Sequence, residues 1–492
     1  MRLSALGAAE GGELRPAGAD PQITGLCVDS REMQAGALFA ALPGSTVHGA
    51  EFIPFALRMG AAAVLTDAAG AALAGPLPVP VIVHPDPRRA LAKAAAAWFG
   101  AQPEVMVAVT GTSGKTSVAS FTRQIWQALG FRSVNFGTAG VEGSVQASLS
   151  LTTPEPITLH RLLARLAGEG VSHAAMEASS HGLEQRRLDG VRLAAGAFTN
   201  LSRDHLDYHD GLDDYLAAKL GLFDRVLPRG AAAVINADDP VAPVVGHVAQ
   251  GRGQRVITVG RAEAANIRIE ASAFTAEGQR LQFRHQGRVH RADLALIGGF
   301  QGANALMAAG LVIGCGAEPD AVFAALPGLA GVRGRMQLVG RRANGAAVYV
   351  DYAHKPAALV AALTALRPHV AGRIVCVFGA GGDRDRGKRP LMGAAVAAHA
   401  DVAIVTDDNP RSEDPASIRA AILAACPEAS EIGDRAEAIL AGVDALQPGD
   451  ALLIAGKGHE TGQIVAGDVL PFDDTEQARA AIAVLDREEA AT

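Results

Sequence analysis

The chain has 492 residues, 49% hydrophobic and 19% charged, enough to bury the cores of two to four domains. Its 44 basic and 51 acidic residues give a formal net charge of -7, which excludes the broad basic field of a sequence-independent nucleic-acid binder. No run reaches the ~20 apolar residues that cross a bilayer, and residues 1–20 lack the basic-then-apolar order of a secretory signal, so a cytoplasmic protein without membrane insertion is expected. Cys27, Cys315, Cys376 and Cys426 have no metal-ligand or redox spacing and read as small buried residues in a reducing compartment.

A first segment, residues 1–102, carries short apolar strands at 61–65 and 79–83 and a Pro/Gly-rich turn between them. A helix follows at Pro87–Phe99, with Gly100 and Pro103 as its stop and linker. A second segment, residues 103–333, opens with a β-branched strand at 105–109, then a glycine-rich turn and an amphipathic helix at 116–129. Further strands are predicted at 173–176, 195–198 and 232–235, and strands alternating with helices indicate a mostly parallel sheet. The third segment, residues 334–492, has strands at 347–350, Ile374–Phe378, 402–406 and Ala451–Ala455. Helices at Pro356–Leu366, 390–398 and 415–424 separate them. The fold class is α/β, and this last segment reads as a doubly wound domain.

The strongest local signal is Gly111-Thr112-Ser113-Gly114-Lys115-Thr116-Ser117, between a predicted strand and a predicted helix. Its glycines let backbone N–H groups turn around phosphate oxygens, the helix N-terminus adds partial positive charge, and Lys115 adds a full one. The Thr116 hydroxyl is placed to ligate Mg²⁺ on a nucleotide. Val109 stands where the general phosphate-loop pattern has its first glycine. Glu177, at the carboxyl end of a strand, is either a Mg²⁺ ligand or merely solvated, and Ser179 and Ser180 could equally be helix caps. Residues 198–209 (Phe198-Thr199-Asn200-Leu201-Ser202-Arg203-Asp204-His205-Leu206-Asp207-Tyr208-His209) form a polar loop suited to catalysis. A zinc reading of His205 and His209 lacks a third ligand. Lys219, on a helix, would ordinarily be solvated. Three further polar clusters follow strand ends: 379–390, rich in arginine, then 407–411, then 456–460. Together they would line one crevice of a doubly wound sheet.

These motifs resemble those of the Mur ligases over nearly the whole chain. Gly-Thr-x-Gly-Lys-Thr without the earlier glycine is similar to that family's ATP loop, shared with folylpolyglutamate synthase. Thr199-Asn200, Asp204-His205 and Asp351-Tyr352-Ala353-His354 resemble its central motifs. Residues 176–183, 202–209 and 456–460 are closest to the members that add the third residue of the peptide, and Asp408-Asn409-Pro410-Arg411 resembles the form adding diaminopimelate.

The resemblance implies three domains: a small UDP-sugar-binding one, a central phosphate-loop ATPase-type one with a mostly parallel sheet, and a Rossmann-like one for the amino acid. It implies ATP and Mg²⁺ as cofactors, and an acyl phosphate formed on UDP-MurNAc-L-Ala-D-Glu and attacked by meso-diaminopimelate. By resemblance, Gly111, Thr112, Ser113, Gly114, Lys115, Thr116 and Ser117 hold ATP phosphates. Thr116 binds one Mg²⁺, Glu177 and His205 bind a second, and Lys219 is carbamylated. Asn304, Arg335 and Asp351 contact the nucleotide. Val28, Ser30, Ser45, Thr46, Val47, Thr152, Thr153, Ser179, Gln185 and Arg187 bind the UDP-muramoyl dipeptide. Arg384, Asp408, Asn409, Pro410, Arg411, Gly456 and Glu460 bind diaminopimelate. A monomer is expected. Ser113, Lys355 and Gln337 depart from the family's common asparagine, threonine and glutamate. The rival readings are another amide ligase of the family, folylpolyglutamate synthase-like or lysine-adding, and a non-catalytic ATP-binding regulator.

Overall fold

A computed structural model describes residues 1–44, 46–149, 151–204 and 208–491. The chain forms two compact units, one of residues 1–268 with 306–322, the other of residues 269–305 and from 323 onward.

The first unit contains a five-stranded sheet in the order Glu13–Arg15, Val81–Val83, Ala63–Thr66, Ala37–Ala40, Gly25–Cys27. All neighbours are parallel except Glu13–Arg15 against Val81–Val83. Side chains alternate between its faces: Leu38 and Ala40 pack with Leu65 and Leu91 on one side, Ala37 and Phe39 with Ile53 and Ala56 on the other. The helix Pro87–Phe99 begins where the sequence indicates. Asp86 accepts from the Arg89 N–H, Pro87 needs no donor at the first turn, and Gly100 at φ 69° ends it. The strands Gly25–Cys27 and Ala37–Ala40 escape the sequence reading because three or four residues show no period.

The same unit holds a second sheet, in which Arg255–Gly260, Ala232–Asn236, Leu193–Phe198, Val105–Thr110, His173–Glu177 and Ser133–Gly137 run parallel in that order. Gly140–Gly143 turns back antiparallel on Ser133–Gly137. Register sets the site: Val109 lies opposite Glu177, and Thr110 opposite Phe198. The loops that follow these three strands therefore start level, side by side, at the carboxyl ends. The predicted strands and the helix, here Lys115–Ala128, appear with shifts of one or two residues.

In the second unit the sheet order is Gln337–Arg341, Ala347–Asp351, Ala451–Ala455, Ile374–Phe378, Val402–Val405, Ser430–Glu431, parallel after the first pair. The last long strand in the chain is inserted between two earlier ones, which opens a crevice at its carboxyl end. Alternation again assigns the faces. Ile374, Cys376 and Phe378 meet the helices Pro356–Leu366 and Lys388–His399, while Val375 and Val377 meet Arg435–Asp444. At the crevice, Arg435 and Asp474 form a fully buried bidentate pair at 2.7 Å, and Arg435 also donates to the carbonyls of Asp407 and Ala455. Breaking such a pair costs about 3–5 kcal/mol, so it pins two strand ends firmly. A polar hairpin, Gly278–His285 with Arg288–Leu294, belongs to this unit as well. Among the described residues no helix is long and apolar enough to cross a membrane.

Candidate active site

Gly111 and Gly114 have φ of 144° and 86°, conformations that favour glycine. A Cβ on Gly111 would lie 1.9 Å from Thr199 Oγ1, so the loop packs directly on the neighbouring strand end. Thr199 and Asn200 brace it. Asn200 Oδ1 accepts from the Ser113 N–H at 2.9 Å, Asn200 Nδ2 donates to Ser113 O at 3.1 Å, and Thr199 Oγ1 donates to the same carbonyl at 2.6 Å. No side chain caps the helix Lys115–Ala128, whose first turn begins at Gly114. Its N–H groups and dipole suit an anion. Lys115 Nζ folds back to the carbonyls of Gly111 and Thr112, at 2.9 and 2.8 Å.

Glu177 is buried, and of the two readings left open by the sequence the solvated one is excluded. Its Oε1 accepts from Thr116 Oγ1 and from the Thr138 N–H, both at 3.0 Å, and its Oε2 from Thr138 Oγ1 at 3.3 Å. Thr138 Oγ1 lies 3.0 Å from Thr152 Oγ1. Thr153 Oγ1 donates to the Glu177 carbonyl and accepts from the Ser179 N–H and Oγ. Ser179, not Ser180, caps the short helix Ser180–Glu184 by accepting from the Gly182 N–H. One connected oxygen network thus joins the phosphate loop to Thr152, Thr153 and Ser179.

Lys219 is not solvated: it is 1% exposed. Its Nζ donates to Gly111 O at 2.9 Å and sits 4.0 Å from the centre of the Tyr215 ring. Burial, reinforced by the Lys115 charge and opposed by Asp204, pushes its pKa well below the ordinary lysine value. The unfolded chain keeps the ordinary value, so between the two values it binds more protons than the folded state. Stability therefore rises with pH across that window and gains nothing further above it. In carbon dioxide-free buffer at neutral pH, Lys219→Met should raise Tm by ~2 °C or more and flatten this pH dependence in thermal unfolding. A lower Tm for the variant would contradict the direction of the shift.

Gln185 and Arg187 belong to a chain of bonds at the rim of the network. Arg187 Nη1 donates to Thr153 O at 2.6 Å and Nη2 to Gln185 Oε1 at 2.7 Å. Gln185 Nε2 donates to Tyr208 OH at 2.9 Å, and Tyr208 OH to Glu184 at 2.7 Å. The Arg186–Asp86 pair at 2.8 Å fixes this rim to the helix Pro87–Phe99 and its sheet. Val28, Ser30, Thr46 and Val47 follow the carboxyl ends of the strands Gly25–Cys27 and Ala37–Ala40, with Val28, Thr46 and Val47 exposed and Ser30 half-buried. Ser45 and His205 lie outside the described residues.

In the second unit, Asp351 accepts from the N–H groups of Met336 and Ala353, at 2.7 and 2.9 Å. Desolvation raises its pKa against the pull of Arg335, whose guanidinium lies 4.8 Å from the Tyr352 ring centre. Asn304 Nδ2 donates to Gln301 Oε1 at 3.0 Å. At the crevice, Asp408 and Asn409 are buried, and Asn409 Nδ2 donates to Glu460 Oε2 at 2.9 Å. Gly456, at φ 119°, would place a Cβ 2.5 Å from Asp408 Oδ2. Arg411 Nη1 donates to Gly382 O at 2.8 Å, Pro410 precedes it, and Arg384 is exposed on the neighbouring loop. Thr138, Tyr208, Tyr215 and Lys457 join these clusters without being singled out by the sequence. No local pattern marks Thr138 or Tyr215, whereas Tyr208 and Lys457 lie inside polar stretches that follow strand ends.

The Mur ligase family catalytic domain matches residues 22–99, the Mur ligase middle domain residues 109–312, and the Mur ligase glutamate ligase domain residues 334–458. A UDP-N-acetylmuramoyl-L-alanyl-D-glutamate--2,6-diaminopimelate ligase of Bradyrhizobium diazoefficiens is 54% identical over 474 residues, 96% of this chain and 97% of its own. A solved structure of a ligase with that name is similar at a TM-score of 0.71 and 34% identity, covering 94% of this chain and 95% of its own. A folylpolyglutamate synthase of Mycobacterium tuberculosis, solved with ADP and AMPPCP, shares the fold at a TM-score of 0.63 and 19% identity, covering 80% of this chain and 95% of its own.

Proposed function

The chain belongs to the Mur ligase family, and from that footing we infer that it joins meso-2,6-diaminopimelate to UDP-N-acetylmuramoyl-L-alanyl-D-glutamate using ATP. The full-length similarity to ligases of that description carries the assignment. It is an acid–amino-acid ligase of peptidoglycan synthesis. A cytoplasmic monomer is the setting that fits its nucleotide substrates.

A carboxylate is a poor electrophile, so the reaction needs a leaving group on its carbon. A D-glutamyl carboxylate oxygen attacks the γ-phosphorus of ATP, ADP departs, and an acyl phosphate forms. The uncharged amine of diaminopimelate then attacks the acyl carbon; the amide forms, inorganic phosphate leaves, and the amine loses its proton. Catalysis rests on positioning and charge neutralisation. In this reading the N–H groups of residues 111–117 and the Lys115 ammonium hold the phosphates. Thr152, Thr153, Ser179, Gln185 and Arg187 orient the dipeptide, with Val28, Ser30, Ser45, Thr46 and Val47 toward the nucleotide sugar. Asn304, Arg335 and Asp351 take the ATP nucleoside and phosphate. Asp408, Asn409, Pro410, Arg411, Gly456, Glu460 and Arg384 take the amino acid.

The donor set fits Mg²⁺: Thr116 Oγ1 and Glu177 Oε1 are hard oxygens 3.0 Å apart beside the loop. Thr116 would hold one Mg²⁺ and Glu177 with His205 a second, and each would neutralise phosphate charge. The depressed pKa of Lys219 leaves free amine, whose nitrogen can add to carbon dioxide with loss of a proton. The resulting carbamate is anionic, and N6-carboxylation of Lys219 fits a lysine held beside the loop.

The test combines purified protein, ATP, MgCl₂, the UDP-muramoyl dipeptide and diaminopimelate, and reads phosphate and tripeptide. Stoichiometric formation of both, requiring every component, is expected. Absence of phosphate release with all substrates present would leave the protein a non-catalytic nucleotide binder.

A further inference from the structure

Lys457 has no role in the reading above, yet its side chain is 0% exposed. An ammonium removed from water is tolerated where each of its three donors finds an acceptor. Lys457 Nζ has three: Gly462 O at 2.5 Å, Asn409 Oδ1 at 3.2 Å and Glu460 Oε2 at 3.4 Å. This arrangement fixes the Asn409 amide. Its Oδ1 accepts from Lys457 and from the Ile464 N–H at 2.9 Å, so Nδ2 must face Glu460. The flipped amide would set an NH₂ group against an ammonium and a backbone donor.

The contacts also tie together three chain segments. Residues 456–460 follow the central strand Ala451–Ala455, residues 408–411 follow Val402–Val405, two places along the sheet, and the hairpin strand Gly462–Val465 contacts both loops. Gln463 Nε2 donates to Asp408 O at 2.8 Å, and the Arg411 N–H to Ile464 O at 2.9 Å. With Glu460 Oε2 engaged by Asn409 and Lys457, Oε1 is the oxygen left to meet a substrate amine.

We propose that Lys457 is a positioning residue for the incoming amino acid, setting the orientation of the Asn409 amide and the Glu460 carboxylate. The proposal rests on the diaminopimelate-adding assignment. It differs from a purely structural role in what it disturbs: one substrate, through one amide.

The experiment measures KM for diaminopimelate, ATP and the UDP-muramoyl dipeptide in the full-length protein, Lys457→Met, Lys457→Arg, Asn409→Ala and the Lys457→Met/Asn409→Ala pair. Lys457→Met should raise KM for diaminopimelate ~10-fold or more by leaving the Asn409 amide oxygen with the Ile464 N–H alone, with the other two KM values within ~2-fold. Lys457→Arg, which keeps the charge and loses the three-point geometry, should show the same selective rise. In the Asn409→Ala background, removing Lys457 should add less than ~3-fold, because the two act through one bond. An unaltered KM for diaminopimelate, or equal rises in all three, would overturn the proposal. So would a Lys457→Met that fails to fold beside a Lys457→Arg with unaltered kinetics. Absence of tripeptide with the unmodified protein removes the premise itself, a different result from normal turnover with an unaltered Lys457→Met.

Discussion

L-Lysine should be used at least ~10⁴-fold less efficiently than diaminopimelate, by kcat/KM in parallel assays of tripeptide formation. The two amino acids differ by one carboxylate, and the group suited to read it is the Arg411 guanidinium. Arg411 sits at φ 53°, a region that residues other than glycine seldom occupy. It is held there by its N–H to Ile464 O and by the Ala466 N–H to its own carbonyl. Its Nη1 is anchored on Gly382 O, while Nε and Nη2 make no hydrogen bond among the described residues. Gly381 and Gly382 permit the close seat, since a Cβ on Gly382 would lie 2.0 Å from Pro410 O. In the proposed reading, bound lysine would leave the bidentate edge of the arginine unpaired, and that asymmetry would supply the discrimination. Arg411→Ala should lower kcat/KM for diaminopimelate by ~10²- to 10³-fold and change that for lysine far less. Comparable turnover of the two amino acids by the unmodified protein would sink the argument.

Lys115→Met should lower kcat by ~10³-fold or more while leaving the protein folded. The bonds that Lys115 Nζ makes to Gly111 and Thr112 carbonyls are short-range, within its own loop. Removing the charge takes away the phosphate stabilisation proposed for it. It has a second consequence, because Lys115 is one cause of the low pKa of Lys219. In the variant the Lys219 pKa moves up, less free amine is present at neutral pH, and the acid limb of the residual pH–rate profile shifts to higher pH. Steady-state phosphate release across pH, with circular dichroism as the folding control, reads both effects. A kcat within tenfold of the unmodified protein would count against the phosphate role.

Much of this was legible along the chain. The helix Pro87–Phe99 is bounded by Asp86, Pro87 and Gly100, and the strand Ile374–Phe378 is an uninterrupted apolar run. Both appear at the positions the residues indicate, because caps and periods act within a few residues. The hairpin Gly278–His285 with Arg288–Leu294 is not reached, since charged and polar residues interrupt its few buried apolar ones, Leu281, Phe283, Ala292 and Leu294. Lys219 shows where local reasoning fails: a helix lysine is ordinarily solvated, and this one is enclosed by Tyr215 and the phosphate loop 108 positions earlier.

The sequence by itself determined the α/β class, the phosphate loop and the family, because glycine, lysine and hydroxyl chemistry at fixed spacing is a local property. Tertiary structure alone decided that Glu177 is tied to Thr116 and Thr138, that Lys219 is buried near the charge of Lys115, and that Lys457 Nζ meets Asn409 Oδ1. Each depends on strand register and sheet order, which bring side chains from distant positions to the same carboxyl edge. There, loss of water makes every unpaired donor or charge costly, and partners become fixed.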